Sequence, residues 1–357
     1  MMQQYLRIKG RWIGPGQPVY IVAEMSANHG QDFDQAAAII RAAGEAGADA
    51  VKLQTYTPDT LTIDADQEWF RIKGTIWEGK NLHQLYAEAY TPWEWQPELM
   101  NIAHSLGLDF FSTPFDATAV DFLEEMGVEA HKVASFELVD LALLKKIGAT
   151  GKPVIMSTGM ATLAEIDAAV TTLRQAGTSD LALLKCTSAY PALAEEMNLR
   201  TIPHLAETFG VPAGLSDHSL GIAAPVAAVA LGACLIEKHL TISRAAGGPD
   251  SAFSLEPDEF KAMVNAVRQT EQALGRVRYE PTAKESQSRM FRRSLFVVRD
   301  MAAGEQFSLD NTASIRPAHG LPPCYLDMVL GRRAAVAIPR GTPLAWDLVG
   351  GAGKVLE

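Results

Sequence analysis

Between residue 20 and about residue 240 the chain alternates short apolar runs with stretches of helical periodicity, eight times over. The runs fall at 20–25, 50–55, 110–113, 131–135, 153–158, 181–186, 212–217 and 234–240. Between the first two lies DFDQAAAIIRAAGEAG, where Ala36, Ile39, Ile40 and Ala43 recur at helical spacing behind an acidic start and ahead of a terminal glycine. A strand–helix unit repeated eight times predicts parallel strands joined by helical crossovers. That is the pattern of a (β/α)8 TIM barrel, whose active site sits at the carboxyl ends of its strands. The alternative is a doubly wound open sheet, which usually carries a glycine-rich phosphate fingerprint after its first strand. Here SANHG occupies that place.

The pattern breaks after a long helix expected over 256–274. A polar stretch, RYEPTAKESQSR, reads as a linker, and short β-like runs follow it. Two of these segments, LFVVRDMAAGEQFSLDN and AAVAIPRGTPLAWDL, share a rhythm of apolar run, glycine, apolar pair and Asp, as in a weak internal duplication. The expected organisation is a catalytic barrel over 1–277, a linker over 278–290 and a small domain over 291–357.

Composition narrows the function. With 48% hydrophobic and 20% charged residues the chain is an ordinary globular protein. A formal net charge of −11 disfavours a nucleic-acid partner, whose phosphates it would repel, but allows a small anion held by cations gathered in one cleft. Three cysteines without a close pair read as thiols in a reducing compartment. No apolar run approaches a membrane span, and MMQQYLRIKGRW lacks the apolar stretch of a signal peptide; the expectation is a cytoplasmic protein with no membrane partner.

Each strand ends in groups that a purely structural core would not select. Glu24 closes the first and Lys52 with Gln54 the second; Ser112–Thr113, Lys132 with Ser135, and Ser157–Thr158 follow. Then come Lys185 to Ser188, Ser216 to His218, and Glu237 to His239. A lone lysine at a strand end is as readily a solvated charge, and a lone Ser–Thr pair a turn or cap. In a barrel, however, the eight ends form one ring, so these hydroxyls and lysines would share a cavity suited to a phosphorylated ligand. His218 and His239, at the ends of adjacent strands, could share a divalent metal with positions left open to water or substrate. Alternation places Glu237 and His239 on one side of their strand and Lys238 on the other. His29, beside Asn28, is a further candidate for the pocket, and the other histidines read as surface or core.

The motifs YIVAEMSANHG, AVKLQTY, FFSTPFD, HKVASFE, STGMAT, CTSAYP, GLSDHS, EKHLT and GGPDSAFSLEPDEF resemble, in this order, those of the sialic acid synthase family. The C-terminal RRSLFV, AAGE and SIRPAHGL resemble the antifreeze-like (SAF, β-clip) domain of those enzymes. TYTPDTLT, WEGKNLHQLYAEAYTPWEW and LLKCTSAYP are most similar to the pseudaminic acid synthases within the family. The resemblance implies a transferase that forms a carbon–carbon bond between phosphoenolpyruvate and an open-chain amino-sugar aldehyde. The expected aldehyde is 2,4-diacetamido-2,4,6-trideoxy-altrose, with N-acetylneuraminate or legionaminate precursors as alternatives. It further implies a divalent metal, manganese first and magnesium or cobalt as alternatives, on His218 and His239.

By the same resemblance Lys52, Thr113, Lys132, Ser135 and Ser216 match residues that hold phosphoenolpyruvate, and Glu24 and Asp250 match catalytic carboxylates. Gln54, Glu137, Ser188 and Tyr190 match substrate-side positions. Arg316 matches an arginine that reaches the neighbouring subunit's site, which implies a homodimer. Residues 57–80 would decide among the sugars. A Schiff-base aldolase using Lys132 or Lys185 is the competing enzyme class, and a non-catalytic sugar-binding barrel the competing non-enzyme.

Overall fold

The structure, a computed structural model, describes residues 5–75 and 77–351, so the outermost residues of both expected domains lie outside the described residues. The chain divides into two compact units, Met1–Gly275 and Arg276–Glu357.

In the first unit a hairpin, β1 (Leu6–Ile8) and β2 (Arg11–Ile13), precedes eight parallel strands. These are β3 (Tyr20–Glu24), β4 (Ala50–Thr55), β5 (Asp109–Pro114), β6 (His131–Val133), β7 (Val154–Ser157), β8 (Leu181–Cys186), β9 (Ala213–Asp217) and β10 (Leu235–His239). They close into a barrel, β10 pairing with β3. All eight expected strands are present, and the helices between them bury the faces the periodicity marked. In Phe33–Ala46 those are Ala36, Ile39, Ile40 and Ala43. The Asp32 carboxylate caps that helix by accepting from the Asp34 and Gln35 amides, and Gly47, at φ 87°, ends it in a left-handed turn.

Alternation along the strands separates two cores. Outward positions such as Ile21, Val51, Phe110, Met156 and Leu183 pack under the helices. Inward positions near the strand starts are Tyr20, Val22, Ala50, Phe111, Ile155, Leu184 and Leu235. The sequence reading missed the hairpin, which plugs this end: Leu6, Ile8 and Ile13 are fully buried among those inward side chains. Burial of each is worth about 1.5–3 kcal/mol. The barrel is therefore filled mainly by apolar side chains at the amino ends of its strands, where the Tyr20 hydroxyl donates to Asp109 at 2.6 Å, and its inward lysines, Glu237 and His239 gather toward the carboxyl ends. Lys238 faces outward, as alternation requires, and is fully buried against Asp217 at 2.6 Å.

The segment expected to decide among the sugars, residues 57–80, belongs to a larger element that interrupts the βα rhythm. Between β4 and β5 the chain builds an arm with short helices Pro58–Leu61 and Leu82–Ala89, ahead of the crossover helix Gln96–Ser105. Capping boxes at Thr57–Thr60 and Asn81–Gln84 start the two short helices.

In the second unit, β11 (Ser294–Val297) pairs antiparallel with β12 (Thr312–Ile315), and β13 (Arg333–Ala334) with β14 (Val349–Gly350). The two segments of the weak repeat pair with each other: Leu344 donates to Leu295, and Met301 and Ile338 exchange both backbone bonds. Leu295, Val297, Phe307, Ile338 and Leu344 form the core. The stretch expected as a linker contains a helix, Ala283–Ser288, started by a Thr282–Glu285 capping box.

Candidate active site

At the carboxyl ends of the strands the inward positions change chemistry. Lys52 and Gln54 on β4, Lys132 on β6, Ser157 on β7, Cys186 on β8, Ser216 on β9, and Glu237 and His239 on β10 line one cavity of about 540 Å³. Ser135, Glu137, Tyr190, His218 and Asp250, from the loops that follow, complete its polar part.

Lys52 and Lys132 converge on Glu237, their ammonium nitrogens lying 3.4 and 3.9 Å from its Oε1. Ser216 donates to the same oxygen at 3.0 Å. Lys52 also meets Glu24 Oε2 at 2.9 Å and Thr113 Oγ1 at 3.4 Å. Lys132 donates to Ser157 Oγ at 2.7 Å and to the Val133 carbonyl at 3.0 Å. Burial opposes a charge on each, and the partners decide the outcome. For Lys52, two carboxylates outweigh burial and hold the ammonium above its ordinary value. For Lys132 burial wins, with Glu237 opposing, and the value falls to about 8. Burial also works against the Glu237 carboxylate, but both lysines and Ser216 keep it ionised and below the ordinary range. Glu24 and Asp250 go the other way, raised chiefly by burial. The floor is thus a cationic pair around one firmly ionised carboxylate, flanked by two carboxyls that readily take protons.

Beside this floor the His218 and His239 rings lie 5.3 Å apart, centroid to centroid. His218 Nδ1 lies 3.0 Å from the Thr187 carbonyl, so an N–H donated there leaves the Nε2 lone pair free to bind a cation. His239 is held well below its ordinary value, first by burial and then by the neighbouring cations, and its buried Nδ1 has no hydrogen-bond partner. Two imidazoles, one of them kept neutral with an orphaned nitrogen, fit a divalent cation with open positions for oxygen ligands. Among the described residues no group of three or more His, Cys, Asp or Glu side chains is placed to hold a metal. The residues present therefore fit a two-nitrogen site completed by water or substrate.

Of the residues expected at the site, Lys52, Gln54, Lys132, Ser135, Glu137, Tyr190, Ser216, His218, His239 and Asp250 lie on the cavity wall. Glu24, Thr113 and Ser188 lie one layer behind it. Glu24 is fully buried, opposite Lys52 in the β3–β4 register, and accepts from Gln54 Nε2 at 3.2 Å. Ser188 reaches Cys186 Sγ at 3.8 Å, and a methyl group on Gly159 would strike both the Ser188 and Ser135 hydroxyls. Arg316, in the second unit, is exposed. His29 is not on the wall: it is fully buried, with Nε2 3.2 Å from Thr91 Oγ1. Lys185 is not on it either, because its strand position faces outward and its ammonium donates to the Cys186 carbonyl at 2.7 Å. Glu237, Ser157 and Cys186 were not chosen as site residues, although parity with His239 already placed Glu237 on the inner face.

Glu137 yields a stability prediction. One carboxylate oxygen is buried without a partner, and burial raises the group from 4.5 to about 7. Between those values the folded state binds more protons than the unfolded one, so stability falls as pH rises from about 4.5 to about 7 and the loss persists above. Glu137→Gln is therefore expected to gain roughly 1–3 kcal/mol over wild type at pH 8 and almost nothing near pH 4.5. Denaturant titrations at the two pH values check this; an equal gain at both would reject the assignment.

Comparison with known proteins agrees with this geometry. Residues 39–279 match the NeuB family and residues 292–350 match the SAF domain. The chain is 44% identical over 333 residues to the pseudaminic acid synthase of Helicobacter pylori, covering 93% of this chain and 98% of that protein. It is 46% identical over 326 residues to the pseudaminic acid synthase of Campylobacter jejuni, covering 91% and 95%. Among solved structures, the N-acetylneuraminic acid synthetase of Leptospira borgpetersenii superposes with a TM-score of 0.71 at 34% identity, covering 80% of this chain and 95% of the other. A closed eight-stranded barrel with a convergent lysine–carboxylate floor, followed by a small domain, thus coincides with sequence matches spanning nearly the whole chain: the protein belongs to the NeuB family and carries a SAF domain.

Proposed function

We propose that this protein is a pseudaminic acid synthase, joining phosphoenolpyruvate to 2,4-diacetamido-2,4,6-trideoxy-altrose. The observation that carries the reading is the pair Lys52 and Lys132 meeting over Glu237 beside two imidazoles, with relatives of that name matching most of the chain. Lys52 and Lys132, with Ser135, Ser157 and Ser216, would hold the phosphate and carboxylate of phosphoenolpyruvate; a phosphate of roughly −1.5 to −2 charge suits two ammonium groups. His218 and His239 would hold the divalent metal, manganese by family resemblance. When bound there it would polarise the sugar aldehyde as a Lewis acid.

In the reaction, carbon 3 of phosphoenolpyruvate forms the new bond to the aldehyde carbon and water adds at carbon 2. Phosphate then leaves with cleavage of its bond to carbon 2. Asp250 lies on the cavity wall with its affinity for protons raised by burial, and in this reading it would give one to the new alkoxide. Glu24 reaches the cavity only by yielding Lys52 to the phosphate, which would free its carboxylate to face the cationic carbon 2 and orient the water. Gln54, Glu137 and Tyr190 remain for the sugar. The Schiff-base alternative loses Lys185, which faces away, and finds Lys132 engaged by Ser157 and the Val133 carbonyl.

The homodimer, with Arg316 entering the partner's site, is supported by an apolar rim on four successive loops after β6 to β9. Phe136, Met160, Leu193 and Leu220 there are 58%, 61%, 52% and 59% exposed. Covering such a rim removes apolar surface from water. A chain that sedimented as a monomer at assay concentration would remove this part of the proposal. A cytoplasmic site of action is part of the proposal: Cys186, Cys234 and Cys324 are all free thiols, the state a reducing compartment maintains.

The test is phosphate release from phosphoenolpyruvate with each candidate hexose, with and without chelator. The trideoxy diacetamido sugar is expected to be turned over, and chelation to abolish turnover until a divalent ion is restored. Turnover of 6-hydroxy N-acetylmannosamine alone would overturn the assignment, and activity indifferent to chelation would overturn the metal.

A further inference from the structure

The cavity has two walls of opposite character. Its floor carries the lysines, carboxyls and imidazoles; its outer side is built by the arm between β4 and β5. Leu61, Ile72, Thr75, Leu82, Leu85 and Tyr86 face the cavity from this arm. Among the described residues the arm offers the cavity few polar side-chain atoms: the Thr75 and Tyr86 hydroxyls, and the indole N–H of Trp77, which is committed to the Pro249 carbonyl at 2.9 Å.

The arm is held in place at several points. Arg71 and Asn81 form an antiparallel bridge at the base of its outer loop, and Ile72 donates to the Lys80 carbonyl at 3.0 Å. At the tip, the Trp77 ring lies 5.6 Å from that of Tyr190, and Pro249 joins it directly to the Asp250 segment. Leu85 and Ala89 are buried beneath. The wall is therefore a preformed apolar surface and can discriminate by shape and polarity.

We propose that this arm selects the sugar, its apolar wall receiving the methyl group at the far end of the open-chain substrate and rejecting a hydroxyl there. The inference rests on the synthase reading and deepens it. With phosphoenolpyruvate on the floor, the aldehyde carbon must sit beside His218, His239 and Asp250 to meet carbon 3. An open six-carbon chain anchored at that end runs outward toward the mouth, so its terminal carbon reaches the arm, where Leu61 and Ile72 stand. A methyl group there replaces water against carbon. A hydroxyl loses its water partners and finds few replacements, so its burial is penalised.

Discrimination by one small group against an apolar wall amounts to roughly 10- to 200-fold. The experiment is the ratio of kcat/KM for the 6-deoxy sugar to that for the same sugar bearing a 6-hydroxyl, measured in wild type, Leu61→Asn, Ile72→Asn and Ile72→Val. Leu61 and Ile72 are only half-buried, and outside the barrel, so the variants leave the barrel core untouched. Wild type and Ile72→Val are expected to favour the 6-deoxy sugar, and at least one asparagine variant to cut the ratio about tenfold or more. A ratio unchanged in both asparagine variants, including an equal fall with both sugars, overturns the proposal. A wild type that uses the two sugars equally overturns it while leaving the synthase reading intact. A wild type that releases no phosphate with either sugar overturns the synthase reading itself.

Discussion

Replacing Lys52 with methionine is expected to lower kcat/KM for phosphoenolpyruvate by roughly 100- to 1000-fold, the scale for removing one preorganised donor from a developing or bound anion. The same change should destabilise the fold. The ammonium is nearly inaccessible and lies 2.9 Å from Glu24 and 3.4 Å from Glu237, so its loss leaves two buried carboxyls without their shared counter-charge. Breaking a buried pair by removing one partner costs about 3–5 kcal/mol. Protonation relieves that penalty: without Lys52 both carboxyls take protons more readily, so the loss of Tm should be larger at pH 8 than at pH 5. Calorimetry at the two pH values and steady-state kinetics check the two halves independently. An unchanged Tm, or a KM for phosphoenolpyruvate within threefold of wild type at undiminished kcat, would refute the role given to this lysine.

The second large effect is expected from Glu237→Gln, and it is a displacement along the pH axis. Burial has already brought Lys132 down to about 8, against the support of Glu237. An opposite charge within this range is worth roughly one to three pH units to its partner. With a neutral amide in its place, Lys132 loses its proton at lower pH, and the alkaline limb of kcat/KM for phosphoenolpyruvate moves down from near pH 8 by about that amount. At pH 8 the variant should retain about a fifth of wild-type kcat/KM or less. Near pH 6 the deficit should shrink or reverse, because one negative charge has left an anion site. Profiles that superpose would show that Glu237 does not hold the charge on Lys132.

These two residues mark the limits of what the linear sequence discloses. Lys52 could be singled out from residue order alone, since a lysine inside an apolar run is costly unless something pairs with it. Glu237 was visible as an inward-facing neighbour of His239. Its importance depends on three strands, β4, β6 and β10, bringing Lys52, Lys132 and Glu237 to one height, and register between distant strands cannot be read from any one of them. Glu24 shows the converse: its chemistry was legible, but its depth behind Lys52 and Gln54 is a consequence of the β3–β4 pairing. His29 and Lys185 carry suitable side chains that packing turns away from the cavity.

The hairpin escaped for another reason, and of the arm only the pocket role of residues 57–80 was legible, not its fold. The β1–β2 strands are three residues each, too short for alternation to stand out; in the arm Leu82, Leu85, Tyr86 and Ala89 do recur at helical spacing, but Leu61 and Ile72 belong to no such pattern, and that all of them line one cavity depends on how the arm folds over the barrel.

By itself the order of residues determined eight strands, the helices between them, and the side of each strand on which polar and apolar groups fall. The period of a strand is local, set by backbone geometry at each residue. Only the tertiary structure decided closure, register and depth: which lysine faces which carboxylate, which imidazoles are neighbours, and where the arm reaches. Those are relations between residues far apart in the chain, and they are settled by packing of the whole barrel, to which no single segment holds the information.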